Sequence, residues 1–201
     1  MKKMTVLDRI VLLVTGLFAA YQVVVGVDNL GTLAMTSYTI AFGVLLVACL
    51  LLLILGWEIL DNSLIVIVST IIPLSLSLGL IAEYYPEFTN FYLAFTVVGF
   101  LAVIITRYIA PGRVAVIVLA VVHGVAGLTI FLLPIILTIS GETSSGFLLV
   151  SLGGALIGIG GLLLSFLKTG SPILSREQIL TILSWLLLIM TACYVAGFAL
   201  S

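Results

Sequence analysis

Apolar runs of about twenty residues or more follow one another along the chain, and each is broken by a short cluster of turn-forming and charged residues. The breaks are DN at 28–29, WEILDN at 57–62, EYYPEF at 83–88, RYIAPGR at 107–113, SGETSS at 140–145 and KTGSPILSRE at 168–177. An α-helix rising about 1.5 Å per residue crosses about 30 Å of hydrocarbon in about 20 residues. The pattern therefore predicts seven membrane-spanning helices, at residues 9–27, 32–57, 63–83, 89–108, 113–138, 146–168 and 178–200.

Composition agrees with the pattern. Hydrophobic residues make up 63% of the 201 and charged residues 7%, against about a quarter charged in soluble domains. The fold class expected is an all-α polytopic transmembrane helix bundle forming a single integral domain, 1–201, with no stretch left for a soluble one. The lipid bilayer is its first partner, further copies of the chain or other membrane subunits come next, and no nucleic-acid partner is expected.

Charge sets the orientation. Lys2, Lys3 and Arg9 precede the first span, Arg107 and Arg113 flank the loop after the fourth, and Lys168 and Arg176 flank the loop after the sixth. All seven fall on one side, which the positive-inside rule makes cytoplasmic. The N-terminus is then inside and the C-terminus outside, with Asp28, Glu83, Glu87 and Glu142 external; a prokaryotic cytoplasmic membrane is the expected location. The start, MKKMTVLDRIVLLVTGLFAA, has a signal peptide's basic head and apolar centre, yet its apolar run continues past Ala20 to Val27 and reads as an uncleaved first span. Leu46 to Cys49 looks like a lipoprotein cleavage box but lies inside the second span.

The spans also suggest a repeat. The first and fifth both begin with an arginine on the cytoplasmic side, in "DRIVLLV" and "GRVAVIV", and the next span of each set follows a polar external turn. Units 1–88 and 109–201, joined by the fourth span at 89–108, would form a 3+1+3 plan of parallel repeats about an axis normal to the membrane. That plan resembles the architecture of the SWEET sugar transporters. Their Pro-Gln pair is absent here and the expected orientation is reversed, so the resemblance carries over no residue.

Polar residues inside hydrocarbon mark where function would lie, because such groups turn from lipid and need partners. On the first span Asp8, Thr15, Gln22 and Asn29 fall seven apart; on the seventh, Glu177, Ser184 and Thr191 do the same, with Thr181 alongside. Ser69, Pro73 and Ser77 follow at steps of four on the third. Pro73 removes the amide that would bond the Ser69 carbonyl, making it a candidate hinge unless a neighbour satisfies that carbonyl.

His123, the single histidine, lies about ten residues beyond Arg113 and so about 15 Å deep, at the midplane. It reads either as a neutral imidazole bonded across helices, with Gln22 a candidate partner, or as a substrate or proton site. In the sixth span Gly153, Gly154, Gly158 and Gly161 form a smooth face for close helix packing, within the chain or against another subunit. Cys49 and Cys193 differ too much in depth for a disulfide and read as small apolar fillers. Trp57, Tyr84 and Tyr85 read as interfacial anchors. Glu58, Asp61 and Asn62 could hold a cation but fit a turn better.

Chemistry finds little support. HExxH, GxSxG and Cys/His metal clusters are all missing, so neither enzyme activity, nor a cofactor, nor a metal site is expected. Two functions remain. One is a small transporter or permeation protein for a neutral or weakly polar solute, with Gln22, Ser77, His123 and Thr191 lining a midplane substrate site. The other is an accessory or scaffold subunit docking through its Gly-rich sixth span.

Overall fold

A computed structural model describes residues 4–27, 30–110, 112–169 and 174–201, apart from the side chains at 162 and 164–169. The expectations placed on Lys2, Lys3, Asp28, Asn29 and the Lys168 side chain lie outside the described residues. The described residues form seven α-helices: α1 (Val6–Val25), α2 (Thr32–Leu55), α3 (Ser63–Tyr84), α4 (Thr89–Ile109), α5 (Arg113–Ile139), α6 (Leu148–Thr169) and α7 (Arg176–Ala199). Short 3-10 turns occupy Trp57–Asp61, Pro86–Phe88 and Ser145–Phe147.

Local chemistry accounts for the helix ends. Thr5 and Asp8 form a capping box at the start of α1, as do Ser175 and Gln178 at the start of α7, so orphan amides of both first turns are bonded by side chains. Asn62 caps α3 by accepting from the Leu64 amide. Gly26 and Gly56 close α1 and α2 at φ 70° and 74°, a region that L side chains rarely enter, and each donates its amide to the carbonyl four residues back. α3 runs unbroken through Pro73, and α5 through Pro134.

Six helices are long and apolar enough to cross a membrane, and α6 lies in an apolar stretch described over Ser145–Gly161. The outer surface is as apolar as the interior: Val24 is 85% exposed, Ile109 78% and Phe91 76%. Water would not tolerate a shell of that kind, but hydrocarbon does. The protein is an integral membrane protein of the polytopic helical class.

Packing closes a ring in the order α1, α2, α3, α5, α6, α7 and back to α1, while α4 lies outside in the groove between α3 and α5. Tyr92 of α4 donates to the Thr129 hydroxyl of α5 at 3.1 Å, and its hydroxyl also lies beside Ser77 of α3, which fixes α4 against both neighbours. A buried apolar cluster fills the ring, drawn from all six of its helices. Arg9, Arg107, Arg113 and Arg176 sit at one end of the bundle, termed here the basic end, and Glu83, Glu87 and Glu142 at the other, the acidic end. Arg9 donates to the Leu53 carbonyl at 3.2 Å and Arg176 pairs with Asp61 at 2.9 Å, drawing the ends of α1, α2 and α7 together.

Candidate functional site

Three of the four residues expected to line a site are bonded within their own helices. Gln22 Nε2 donates to the Gly26 carbonyl at 2.7 Å, Ser77 Oγ to the Pro73 carbonyl at 2.7 Å, and Thr191 Oγ1 to the Leu187 carbonyl at 2.7 Å. A hydroxyl returned to the preceding turn is the usual way such a group is satisfied in hydrocarbon. All three are buried, on α1, α3 and α7. No hydrogen bond among the described residues joins them to one another or to His123.

His123 differs from them. Its Nδ1 is sealed from solvent and has no hydrogen-bond partner among the described residues, with the Leu119 carbonyl one turn back the polar atom it approaches. The expected bond to Gln22 is not formed, since α1 and α5 stand on opposite sides of the ring. The histidine shares a helix face with Ile130 and Leu137, spaced seven apart. Those two are fully buried, whereas His123 is partly exposed, so packing along this face loosens toward the basic end.

The glycines of α6 record the same change. A Cβ on Gly153 would stand 2.6 Å from the Tyr194 ring of α7, and one on Gly154 would stand 3.0 Å from the Phe131 amide nitrogen of α5. One turn further on the same face, a Cβ on Gly158 would meet no atom of a described side chain within 4 Å. α5 and α6 are antiparallel neighbours, so Gly127 lies level with Gly158, and its own Cβ position is equally open. Among the described residues the seam between α5 and α6 is tight at Gly154 and open at Gly158 and Gly127, one turn nearer the basic end.

Aromatic rings seal the acidic end. Tyr38 lies 4.6 Å from Phe198, Phe42 lies 6.4 Å from Tyr194 and 6.2 Å from Phe198, and Phe147 lies 6.2 Å from Phe198, centroid to centroid. Tilted and edge-on rings at such spacings attract beyond their buried area. Two Tyr-on-Gly seats support them: Tyr38 of α2 on Gly79 of α3, and Tyr194 of α7 on Gly153 of α6. Above the rings is a cavity of about 230 Å³, bordered by Tyr38, Glu83, Tyr84, Glu142, Thr143 and Phe198.

Other polar groups have structural duties that local sequence did not reveal. Asp8 is only 3% exposed; Oδ2 accepts from the Thr5 amide and hydroxyl, and Oδ1 from the Ser184 hydroxyl of α7 at 3.0 Å. Trp57, expected at the interface, is instead 3% exposed and packs among Leu12, Leu52, Leu180 and Leu183. Asp61 is engaged by Arg176 and Asn62 caps α3, which occupies both with structure. Cys49 and Cys193 are free thiols, with Cys49 against Gly16. Among the described residues no three His, Cys, Asp or Glu side chains gather as a metal site would require. No protein-family model, curated protein or solved structure matches the chain.

Proposed function

We propose that the protein is a small transporter or permeation protein for a neutral or weakly polar solute, with seven spans arranged as two parallel triplets, α1 to α3 and α5 to α7, joined by α4. The observation that carries this reading is the uneven closure of the ring. Rings block the acidic end, while toward the basic end the α5–α6 seam is open at Gly158 and Gly127, and His123 carries a sealed Nδ1 that has no hydrogen-bond partner among the described residues. A ring closed by aromatic side chains at the acidic end and opened along one seam, with Trp57 and four leucines packed between α1, α2 and α7 at the basic end, supports one state of an alternating-access cycle.

Adjacency supports the repeat. α3 meets α5 and α7 meets α1, which are equivalent contacts if α1, α2 and α3 correspond to α5, α6 and α7. The Tyr-on-Gly seats fall in corresponding helix pairs with the partners exchanged. By the positive-inside rule the arginines support a cytoplasmic position for the basic end, in which the slack half faces inward.

The test is osmotic swelling of liposomes containing the purified protein, followed by light scattering with urea, glycerol and a four-carbon polyol. Faster swelling than in protein-free liposomes for at least one solute is expected. Rates equal to protein-free liposomes for all three would count against permeation of small neutral solutes.

One observation favours an accessory or scaffold role instead. Gly158 lies exposed on the face that Gly154 uses for packing, and no described residue covers it. A second membrane protein seated there would make the glycine run a docking face. Recovery of a stoichiometric second chain after mild solubilisation would support that role, and a particle of this chain alone would oppose it.

A further inference from the structure

The acidic-end cavity has the features of a ligand pocket in its own right. Glu83 and Glu142 stand at its rim with Thr143, and Tyr38, Tyr84 and Phe198 supply its walls. Glu83 Oε2 accepts from the Gly31 amide at 3.2 Å and Glu142 Oε1 from the Ser140 hydroxyl at 2.9 Å. Neither carboxylate has a cationic partner among the described residues, and the described arginines lie at the opposite end. The second observation is Tyr38. It is 4% exposed and borders the cavity, yet its hydroxyl makes no hydrogen bond to any described residue. The Tyr194 hydroxyl is likewise unpartnered but sealed in the core, whereas Tyr38 borders space that a ligand can enter.

We propose that this pocket binds a small primary ammonium ion, whose N–H groups reach Glu83, Glu142 and the Tyr38 hydroxyl while its alkyl part lies against the Tyr84 and Phe198 rings. Aromatic faces attract cations, and the carboxylates raise the local cation concentration. A hard metal ion fits worse, because Ca²⁺ takes six to eight oxygens and Mg²⁺ a full octahedron, whereas three of the nine lining residues present aromatic rings. A neutral solute would make no use of the two carboxylates at the rim. The volume lies below the roughly 300–1,000 Å³ of pockets for drug-sized ligands, which limits the guest to a short alkylamine. The aromatic cluster separates this pocket from the open seam at Gly158 and Gly127, so binding here is measurable whether or not the bundle passes a solute.

The experiment measures thermal unfolding and titration calorimetry of the full chain in detergent, with propylammonium chloride as probe and propan-1-ol and calcium chloride as controls at matched ionic strength. A saturable rise in midpoint with millimolar propylammonium alone is expected. Glu83→Gln and Glu142→Gln should each weaken binding about tenfold. Tyr38→Phe, which removes one oxygen and keeps the ring on Gly79, should weaken it several-fold and folds as the parent does. An equal response to propan-1-ol, a larger one to calcium, or parental affinity in both Tyr38→Phe and Glu142→Gln would overturn the proposal.

Discussion

The Asp8 carboxylate accepts a hydrogen bond from the Ser184 hydroxyl at 3.0 Å, joining two helices whose contacting residues are 176 positions apart in sequence. α1 and α7 both begin at the basic end and so run parallel. Seven residues further on, Thr15 and Thr191 continue the polar faces, both fully buried.

Removing the Ser184 donor leaves a buried carboxylate short of one hydrogen bond. Ser184→Ala should therefore cost about 1–2 kcal/mol, in the range for hydrogen bonds between membrane helices and for bonds to charged groups. The check is the thermal midpoint in detergent beside Ser140→Ala, whose hydroxyl serves only the exposed α5–α6 turn. An unmoved midpoint in Ser184→Ala would mean that the contact does not hold α1 to α7.

The glycines of α6 should separate into two groups on substitution. Gly153→Ala drives a methyl into the Tyr194 ring, and Gly79→Ala drives one into the Tyr38 ring at 2.4 Å, so each should destabilise by about 1–3 kcal/mol, the usual cost of overpacking. Gly158→Ala meets open space and should stabilise by up to about 1 kcal/mol through helix propensity. Denaturation of the three single variants decides it, and equal losses at all three positions would contradict the slack seam.

His123→Leu removes a nitrogen that has no partner among the described residues, so stability should hold within about 0.5 kcal/mol or rise. Solute flux should fall, with His123→Gln intermediate. A loss above about 1 kcal/mol would reveal a bonded, structural histidine, and unchanged flux in both variants would remove it from any transport path.

Orientation is open to direct labelling. In a Cys49→Ala, Cys193→Ala background, cysteines at Glu87 and Glu142 should react with an impermeant maleimide applied outside intact cells, while one at the exposed Glu58 should not. Labelling of Glu58→Cys from outside would invert the assignment.

The helices were legible because membrane thickness imposes a length that apolar runs display directly; observed and expected ends differ by three residues or fewer. What the helices do to one another was much less legible. Asp8, Thr15 and Gln22 were visible as one polar face, but nothing near Asp8 names Ser184 as its partner, since the register of two helices is decided by packing over the whole bundle. Gly153 and Gly158 have similar apolar neighbours in sequence, yet only the first sits under a tyrosine. Glu83, Tyr84 and Glu142 looked like connector residues and anchors, and Tyr38 carried no signal at all. The pocket exists because three connections and the end of α7 converge, a relationship that periodicity does not encode. Trp57 followed the interfacial rule in sequence but turns inward, where four leucines of α1, α2 and α7 offer more apolar contact than the membrane surface.

The contact between α1 and α7 also sets an order of events. Each of the other ring contacts joins helices made consecutively or with only α4 between them, so they can form as synthesis proceeds. α1 instead waits with the face bearing Asp8, Thr15 and Gln22 uncovered until α7 has entered the bilayer. During that interval the Asp8 carboxylate lacks its Ser184 donor. A chain stopped before α7 is therefore an open arc with a polar edge, the kind of intermediate that membrane quality control can distinguish from the finished ring.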